Sequence, residues 1–279
     1  MPSPNRFVYH VIYDKSLDDA LDYAKKNGWS GIVPDIGVPR FSPEKYSTAD
    51  RNNLRAKSTS DGLEWGFHAP GDNVGMFTTY LPIRRAILEY FKSIVDFARD
   101  VSESTSNMVI HTGSVPSFRK AGEQEDTYLN EHLGIYETVL TENILGLVEY
   151  GQPDVQIVLE NHGWTPLIRH SIPSLLARGL KLCLDIPKIY DRDLNLNKSD
   201  WRIFQQYPDA IEVVHVHDFI PSLKSHQIVG HGSIEYGSVL AFLTELEHSI
   251  QYVFEVRPRE AATESLHNFK ELLKQTISG

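Results

Sequence analysis

The stretch VQIVLENHGWTPLIRHSIPSLLARGLKLCLD, residues 155–185, decides the fold of this chain. It begins with an apolar run that ends at Glu160, continues through a helix-like segment over about Pro166–Arg178, and finishes with a second apolar run that ends at Asp185. Two continuous apolar runs joined by a helix are typical of parallel strands that are buried on both faces. The stretch therefore predicts a β-α-β unit in which each strand ends on a carboxylate.

The same pattern extends in both directions along the chain. Six predicted strands end on a residue type that binds metals, and they are Leu63–His68, Met108–His111, Val155–Glu160, Leu180–Asp185, Ile211–His215 and Tyr252–Glu255. Two further strands are predicted at Phe7–Tyr13 and Gly31–Ile36. Eight strand–helix units of about 35 residues each predict an α/β fold, a (β/α)8 TIM barrel with one domain over residues 1–279.

An open doubly wound sheet is the competing fold. That fold normally carries a glycine-rich phosphate turn after its first strand, whereas this chain has Tyr13–Asp14–Lys15 there. Helices are predicted at about Leu17–Asn27, Pro82–Val101, Tyr128–Tyr150, Pro166–Arg178, Asp200–Tyr207, Glu235–His248 and Thr263–Ile277. Ser42–Pro43–Glu44 is predicted to begin another helix, and Ser222–Ser233 is predicted to be an irregular loop.

Composition excludes several classes of protein. A formal net charge of −10 argues against a long nucleic-acid-binding surface. The single cysteine, Cys183, lies in an apolar run and is predicted to be a buried core residue. There is no apolar run long enough to span a membrane and no pattern typical of a signal peptide, so we expect a cytoplasmic protein. The motifs of serine hydrolases, kinases and metalloproteases do not occur.

Four strand ends predict a metal centre. The carboxyl ends of barrel strands converge on one rim, so Glu160, Asp185, His215 and Glu255 are expected to meet there. Three converging carboxylates raise one another's pKa unless a cation is present. Carboxylate and imidazole ligands suit a divalent metal ion, with zinc or manganese expected here. The alternative to metal binding is that each acid caps a helix or pairs with an arginine. This alternative could explain one acid at a strand end, but it explains four successive metal-ligand residues poorly.

Two histidines extend this predicted centre. His68 and His111 end the strands next to the one that ends at Glu160, so we expect them to bind a second ion with Glu160 as the bridge. The predicted stoichiometry is therefore one or two ions per chain. His226, in the loop after the seventh predicted strand, is a further candidate ligand.

Other histidines receive different interpretations. His162 follows Glu160 closely and is predicted to contact substrate. His217 lies two residues after His215, on the same face of a strand, and is predicted to support the ligands from behind. His10 lies within the first predicted strand and is interpreted as structural.

The chain resembles the xylose isomerase-like TIM barrels, the superfamily shared by sugar isomerases and epimerases and by endonuclease IV. The motifs that carry the resemblance are FHAPGDN at His68, VIHTGS at His111, LEN at Glu160, CLD at Asp185, VHVHD at His215, HQIVGHG at His226 and FEVRP at Glu255. They cover nearly the whole chain in order. They are specific to the superfamily rather than to one reaction.

The endonuclease IV branch implies three zinc ions. Its pattern implies one ion at His68, His111 and Glu160, and a second at Glu160, Asp185, His215 and Glu255. The third ion requires two histidines and an aspartate, and the matching positions here hold Lys188, Lys224 and His226. Because a lysine repels a metal ion, the resemblance implies that the third site is absent.

The isomerase and epimerase branch implies a single metal at Glu160, Asp185, His215 and Glu255. In that branch the two glutamates act as an acid/base pair on either side of the substrate carbon. A histidine that contacts substrate there is replaced here by Lys188. Positive charge from Lys188, Lys224 and Arg257 near the rim suggests an anionic substrate, such as a sugar phosphate or a sugar acid.

The leading hypothesis is a divalent-metal-dependent sugar isomerase or epimerase that transfers a proton through a metal-stabilised enediolate. A dinuclear phosphoesterase of endonuclease IV type without the third metal is the alternative. A non-catalytic barrel that binds a small molecule is the third hypothesis. The expected partner is a small sugar-like molecule, a homo-oligomer is compatible with this interpretation, and nucleic acid and membranes are not expected.

Overall fold

Eight parallel strands close into a barrel in the computed structural model of the protein. The described part of the chain forms ten strands, which are β1 (Arg6–Val11), β2 (Gly31–Pro34), β3 (Glu64–His68), β4 (Ser106–Ile110), β5 (Val155–Glu160), β6 (Lys181–Asp185), β7 (Ile211–Val216), β8 (Asp218–Ile220), β9 (Lys224–Gln227) and β10 (Gln251–Phe254). All except β8 and β9 belong to the barrel, and β1 pairs with β10 to close it. The predicted TIM barrel is therefore confirmed.

The structure describes residues 5–71, 74–116, 118, 120–122, 127–191, 193–221 and 224–278. For residues 127, 128, 224, 225 and 278 it describes the backbone alone.

Helices cover the outside of the barrel. They are α1 (Leu17–Lys26), α2 (Thr48–Asp61), α3 (Leu81–Val101), α4 (Thr127–Gly151), α5 (Pro166–Leu176), α6 (Lys198–Gln206), α7 (Gly237–Thr244) and α8 (Arg259–Ser278). Helix α1 begins because the Ser16 side chain accepts the Asp19 N–H. Of the helices described, none combines the length and the apolar character that a membrane span requires.

The predicted helix start at Ser42 is wrong. Residues Pro43–Lys45 form one short 3-10 turn, and the Ser42 side chain makes no capping bond. Helix α2 begins after Ser47 instead, where the Ser47 hydroxyl accepts the Asp50 N–H and the Asp50 carboxylate accepts the Ser47 N–H. This reciprocal capping box satisfies two backbone donors, which a single serine before proline cannot do.

The loop predicted at Ser222–Ser233 contains part of a hairpin. Strands β8 and β9 pair in antiparallel fashion beside the carboxyl rim. The buried Asp218 carboxylate holds the next segment, because it accepts the backbone N–H groups of Gly230, Gly232 and Ile234. The hairpin thus places the segment that carries His226 against the rim of the barrel.

A layer of small apolar residues fills the barrel interior. Its seven buried members are Val8, Val33, Val109, Val158, Cys183, Val213 and Val253, each from a different strand. On β3 the corresponding residue is Gly66, where a Cβ atom would approach Val33 and Gln251 to within 3.0 Å. Cys183 is buried and free, as predicted. The layer closes the barrel axis, so the carboxyl rim is where side chains can converge on a ligand.

Candidate metal centre

A ring of polar side chains lies directly above the apolar layer. Each member follows an interior residue by two positions, so the alternation of side chains along a strand points it toward the barrel axis. The ring consists of His10, Asp35, His68, His111, Glu160, Asp185, His215 and Glu255, each within one residue of the end of a different barrel strand. Six of these were predicted from strand ends, and His10 and Asp35 were not.

Glu160 lies at the centre of the ring and is fully buried. Its Oε2 atom lies 2.9 Å from His111 Nε2, 3.4 Å from His68 Nε2 and 3.3 Å from His215 Nδ1. His215 Nδ1 also lies 3.2 Å from Glu255 Oε1. Ligand atoms held about 2.1 Å from a zinc ion are themselves roughly 3 to 3.5 Å apart. The donors therefore have the spacing of a metal coordination shell.

His68 and His111 converge on the same Glu160 oxygen as His215. The candidate ligand groups are His68–Glu160–His215, His111–Glu160–His162, Asp185–His215–Glu255 and His217–His226–Glu255. The first and third groups share His215, so they describe neighbouring parts of one centre. The number of ions stays a prediction.

A lysine faces the other oxygen of Glu160. Lys188 Nζ contacts Glu160 Oε1 and lies 2.9 Å from Asp185 Oδ2. The Lys188 N–H also donates to Asp185 Oδ1, which folds the turn after β6 back over the strand end. Burial opposes a charged ammonium, yet the Asp185 and Glu160 carboxylates raise the pKa of Lys188 well above its ordinary value. Lys188 is thus part of the centre, with its charge directed at the carboxylates.

Asp185 is held by its neighbours on both sides. The Asn161 side chain donates to the Asp185 carbonyl at 3.1 Å and accepts the Asp185 N–H at 2.7 Å. His217 Nε2 lies 3.4 Å from Asp185 Oδ2. His217 Nδ1 accepts the His226 N–H at 3.1 Å, which leaves Nε2 as the ring nitrogen that faces Asp185 with its proton. His217 therefore orients Asp185, as its position two residues after His215 predicted.

The carboxylates are ionised despite their burial. Burial alone would raise their pKa, but Lys188 and His215 lower the pKa of Glu160 well below its ordinary value. Lys188 and His217 lower the pKa of Asp185 to about 2, and His215 and His10 lower that of Glu255 well below its ordinary value. All three carboxylates are therefore available to a cation at neutral pH.

His226 and Lys224 lie on strand β9, beside the rim. His226 adopts a left-handed backbone conformation with a φ of 65°, which is uncommon outside glycine. Its Nδ1 donates to the Glu255 carbonyl at 2.9 Å and lies 3.8 Å from Glu255 Oε2. Burial and the neighbouring His217 lower the pKa of His226 to about 4, so the ring is neutral. The side chain of Lys224 lies outside the described residues, and its role stays a prediction.

The sequence predicts a structural role for His10, but this residue lies in the ring of polar side chains, beside Glu255 and Asp35. Its Nδ1 lies 3.9 Å from Glu255 Oε1 and its Nε2 lies 3.8 Å from Asp35 Oδ2. Neither ring nitrogen has a hydrogen-bond partner among the described residues, although the side chain is buried. A signal for this position exists in the sequence, since His10 follows the interior Val8 by two residues.

Arg257, near His10, carries a further buried polar atom that is unsatisfied among the described residues. It follows Glu255 by two residues and precedes the cis bond to Pro258. Its buried Nε has no hydrogen-bond partner within the part of the chain that the structure describes. The guanidinium is close enough to His10 and His226 to lower the pKa of both. Arg257 therefore lies at the rim, where it was predicted to contact substrate.

A cavity of about 360 Å³ adjoins the centre at Lys188. The loops after β5, β6 and β7 form it, and its lining includes His162, Trp164, Lys188, Tyr190 and Phe219. The Trp164 Nε1 atom is buried and has no hydrogen-bond partner among the described residues. His162, which was predicted to contact substrate, stacks on His111 with ring centroids 4.4 Å apart. An apolar cavity with a few polar groups beside metal ligands suits a small molecule.

Comparison with known proteins supports this architecture. Residues 21–272 match a family model described as xylose isomerase-like TIM barrel. Among solved structures, a D-tagatose 3-epimerase-like protein aligns over 98% of both chains with a TM-score of 0.73 and 20% identity. D-psicose 3-epimerase with D-tagatose, from Clostridium cellulolyticum H10, aligns over 98% of this chain and 99% of its own, with a TM-score of 0.71 and 10% identity.

A third similar structure contains a metal. The IolI protein with a bound zinc atom aligns over 98% of both chains with a TM-score of 0.71 and 14% identity. At such low identities these similarities establish a shared fold alone. No curated protein sequence matches the chain at a significant level.

Proposed function

Because the chain belongs to the xylose isomerase-like TIM barrel family, we propose that it is a divalent-metal-dependent sugar isomerase or epimerase. The observation that carries the proposal is the placement of two ionised glutamates around one imidazole. Glu160 Oε2 and Glu255 Oε1 lie 3.3 Å and 3.2 Å from His215 Nδ1. Two carboxylates at one reacting centre can remove and return a proton on a substrate carbon.

The residues present fit a divalent ion. Both ring nitrogens of the buried His215 have no hydrogen-bond partner among the described residues, although three ionised carboxylates surround the ring. Glu160, Asp185, His215 and Glu255 would hold the ion, with His68 and His111 beside them. A divalent ion, zinc or manganese, supplies Lewis-acid polarisation of a substrate carbonyl when it is bound.

Glu255 is the better candidate for the base. Glu160 faces three imidazoles and the Lys188 ammonium, which together reduce its basicity. Glu255 lies 3.2 Å from His215 through Oε1, but among the described residues no lysine or arginine forms an ion pair with it, and its Oε2 atom lies 3.9 Å from His217 and 3.8 Å from His226. In this mechanism Glu255 removes the proton next to the substrate carbonyl. Glu160 takes up a proton from water and delivers it to the opposite face of the same carbon in the epimerase reaction, and Glu255 then releases its proton to water.

Arg257 and His162 are assigned to substrate binding. Arg257 has no ion pair among the described residues, so its guanidinium is free to bind a carboxylate or phosphate group of an anionic sugar. His162 lines the cavity beside Lys188, which would receive the rest of the molecule. Lys188, which lines the cavity, and Lys224 complete the proposed substrate contacts.

A dinuclear phosphoesterase is the second candidate. The group His111–Glu160–His162 favours it, because this group offers donors for an ion beyond the one at His215. In that case phosphate-ester hydrolysis would replace proton transfer at carbon.

The test is solvent exchange on candidate sugars. Protein loaded with manganese or zinc is incubated in deuterated water with ketohexoses, ketopentoses, their phosphates and sugar acids, and deuterium at the exchanging carbon is read by NMR. We expect exchange with at least one sugar, its loss after chelation, and a decrease of about 10²- to 10⁴-fold in Glu255→Gln. Glu264→Gln, at an exposed glutamate paired with His231, is the control. Phosphodiester hydrolysis without any sugar exchange would support the phosphoesterase instead.

A further inference from the structure

The two oxygens of Glu160 face two different positions. Oε2 faces the imidazoles of His68, His111 and His215. Oε1 faces Lys188. A bridging carboxylate that holds two cations presents its oxygens in this way, one toward each cation. The centre therefore has one cation position on each side of Glu160. A metal ion would lie on the Oε2 side, near His215 and Glu255, and the Lys188 ammonium lies on the Oε1 side. Asp185 borders both positions, since its Oδ2 atom lies 2.9 Å from Lys188 Nζ and 4.0 Å from His215 Nδ1.

Lys188 is fixed in that position. Its ammonium bridges Glu160 Oε1 and Asp185 Oδ2, as a metal ion would. The backbone holds it there, because Lys188 lies in the short 3-10 turn Pro187–Ile189 and its N–H donates to Asp185 Oδ1. Only 28% of the side chain is exposed. The ammonium is thus built into the turn that follows β6.

The charges of the centre favour a single metal ion. Glu160, Asp185 and Glu255 contribute three negative charges in a buried site, whereas the fourth carboxylate of the ring, Asp35, has a side chain that is 23% exposed to solvent. The Lys188 ammonium and one divalent ion balance these charges. A second divalent ion would leave two uncompensated positive charges, which is costly where the surrounding protein excludes water.

We propose that Lys188 is a built-in cation that takes the place of a second metal ion, so that the chain binds one divalent ion although its side chains could ligate two. The inference rests on the metal centre of the proposed function but not on the sugar reaction. It accounts for histidines on β3 and β4 in a centre that needs only one ion, because Glu160 must be held from the imidazole side as well as from the lysine side.

Metal stoichiometry and affinity test the inference without any substrate. Wild type and Lys188→Met are stripped of metal, dialysed against zinc and analysed by elemental mass spectrometry, and affinities are measured by competition with a chromophoric chelator. We expect one zinc ion per wild-type chain. Lys188→Met should bind a second zinc ion or bind the first at least about 10-fold more tightly, since the substitution removes one positive charge from the metal centre.

Lys181→Met is the matched control. Lys181 lies at the opposite end of β6, has a similar exposure of 27% and pairs with Glu212 at 2.9 Å. The Lys181→Met variant should bind one zinc ion with wild-type affinity. Lys188→Arg keeps the charge and should also bind one, which preserves the test if Lys188→Met does not fold.

Several results would overturn the inference. The first is that wild type or Lys188→Arg binds two zinc ions. The second is that neither wild type nor Lys188→Met binds zinc. The third is that Lys188→Met has the same zinc stoichiometry and affinity as Lys181→Met. Sugar exchange is measured separately. An active epimerase with two ions would therefore refute the inference alone, and one tightly bound ion without activity on sugars would refute the sugar reaction alone.

Discussion

The two sides of the metal centre are built differently. On the side of β5 and β6, Asp185 and Glu160 are held by Asn161, Lys188 and His217. On the side of β1 and β10, the ring nitrogens of His10 and the Nε of Arg257 have no hydrogen-bond partner among the described residues. Buried polar groups are normally satisfied within the protein, so unsatisfied ones point to a ligand. We therefore propose that one side of the centre holds the cation and that the other side receives the substrate.

The largest expected effect concerns the organised side. Asn161→Ala should lower the free energy of unfolding by about 2 to 4 kcal/mol, because it leaves the buried N–H and carbonyl of Asp185 without partners. Denaturant unfolding of the chelator-treated protein measures this loss. Asn195→Ala is the control, since Asn195 is exposed and its side chain donates to Asp191, with no other side-chain hydrogen bond to a described residue. Equal losses in the two variants would mean that Asn161 does not organise the site.

The next effect concerns the open side. Arg257→Gln should reduce kcat/KM for an anionic sugar by about 10- to 100-fold, since hydrogen bonds to a charged group contribute about 1.5 to 3 kcal/mol. Its free energy of unfolding should change by less than about 0.5 kcal/mol, because Arg257 forms no ion pair and its Nε no hydrogen bond with the residues that the structure describes. Steady-state kinetics and denaturant unfolding measure the two quantities.

Arg259→Gln is the control for Arg257→Gln, and its effects on stability and on kcat/KM should be the reverse. Arg259 lies 3.2 Å from Asp14 and 2.5 Å from Asp19, so its loss should lower stability and leave kcat/KM little changed. If Arg257→Gln also lost stability while keeping full kcat/KM, the open side would be structural.

The smallest expected effect is on the number of protons that the protein releases when it binds a metal ion. Burial disfavours a charged His68, but Glu160, Glu255 and Asp35 raise its pKa to about 9, so the metal-free protein carries an imidazolium at neutral pH. A metal ion that binds through His68 must release that proton, and affinity should therefore fall as the pH drops below about 9. Zinc titration calorimetry in buffers of different ionisation enthalpy measures the number of protons released on binding. His68→Asn should release about one proton fewer than wild type. His170→Asn, at an exposed histidine, should release as many as wild type.

Much of the fold follows from local patterns. Continuous apolar runs that alternate with helical segments predict the barrel, because strands buried on both faces need no polar alternation. The predicted start of a helix at Ser42 failed because Ser47 and Asp50 cap each other more completely. The β8–β9 hairpin escaped prediction because its pairing depends on a loop folding back onto Asp218.

The candidate site was predicted in part. Glu160, Asp185, His215 and Glu255 were found because each closes an apolar run and so marks a strand end. His10 was not, because the apolar run around it continues past the histidine. Its spacing of two from Val8 is the signal that identifies it once the interior layer is known.

The sequence by itself determined which side chains stand at the carboxyl ends of the strands, because strand alternation and strand ends are local properties. Only the tertiary structure decided how their charges pair. The turn after β6 brings the Lys188 ammonium to Glu160 and Asp185, while the turn after β10 leaves Arg257 without a partner among the described residues. The physical reason is that ion pairing depends on distances of a few ångströms between segments far apart in the chain, which no local pattern specifies.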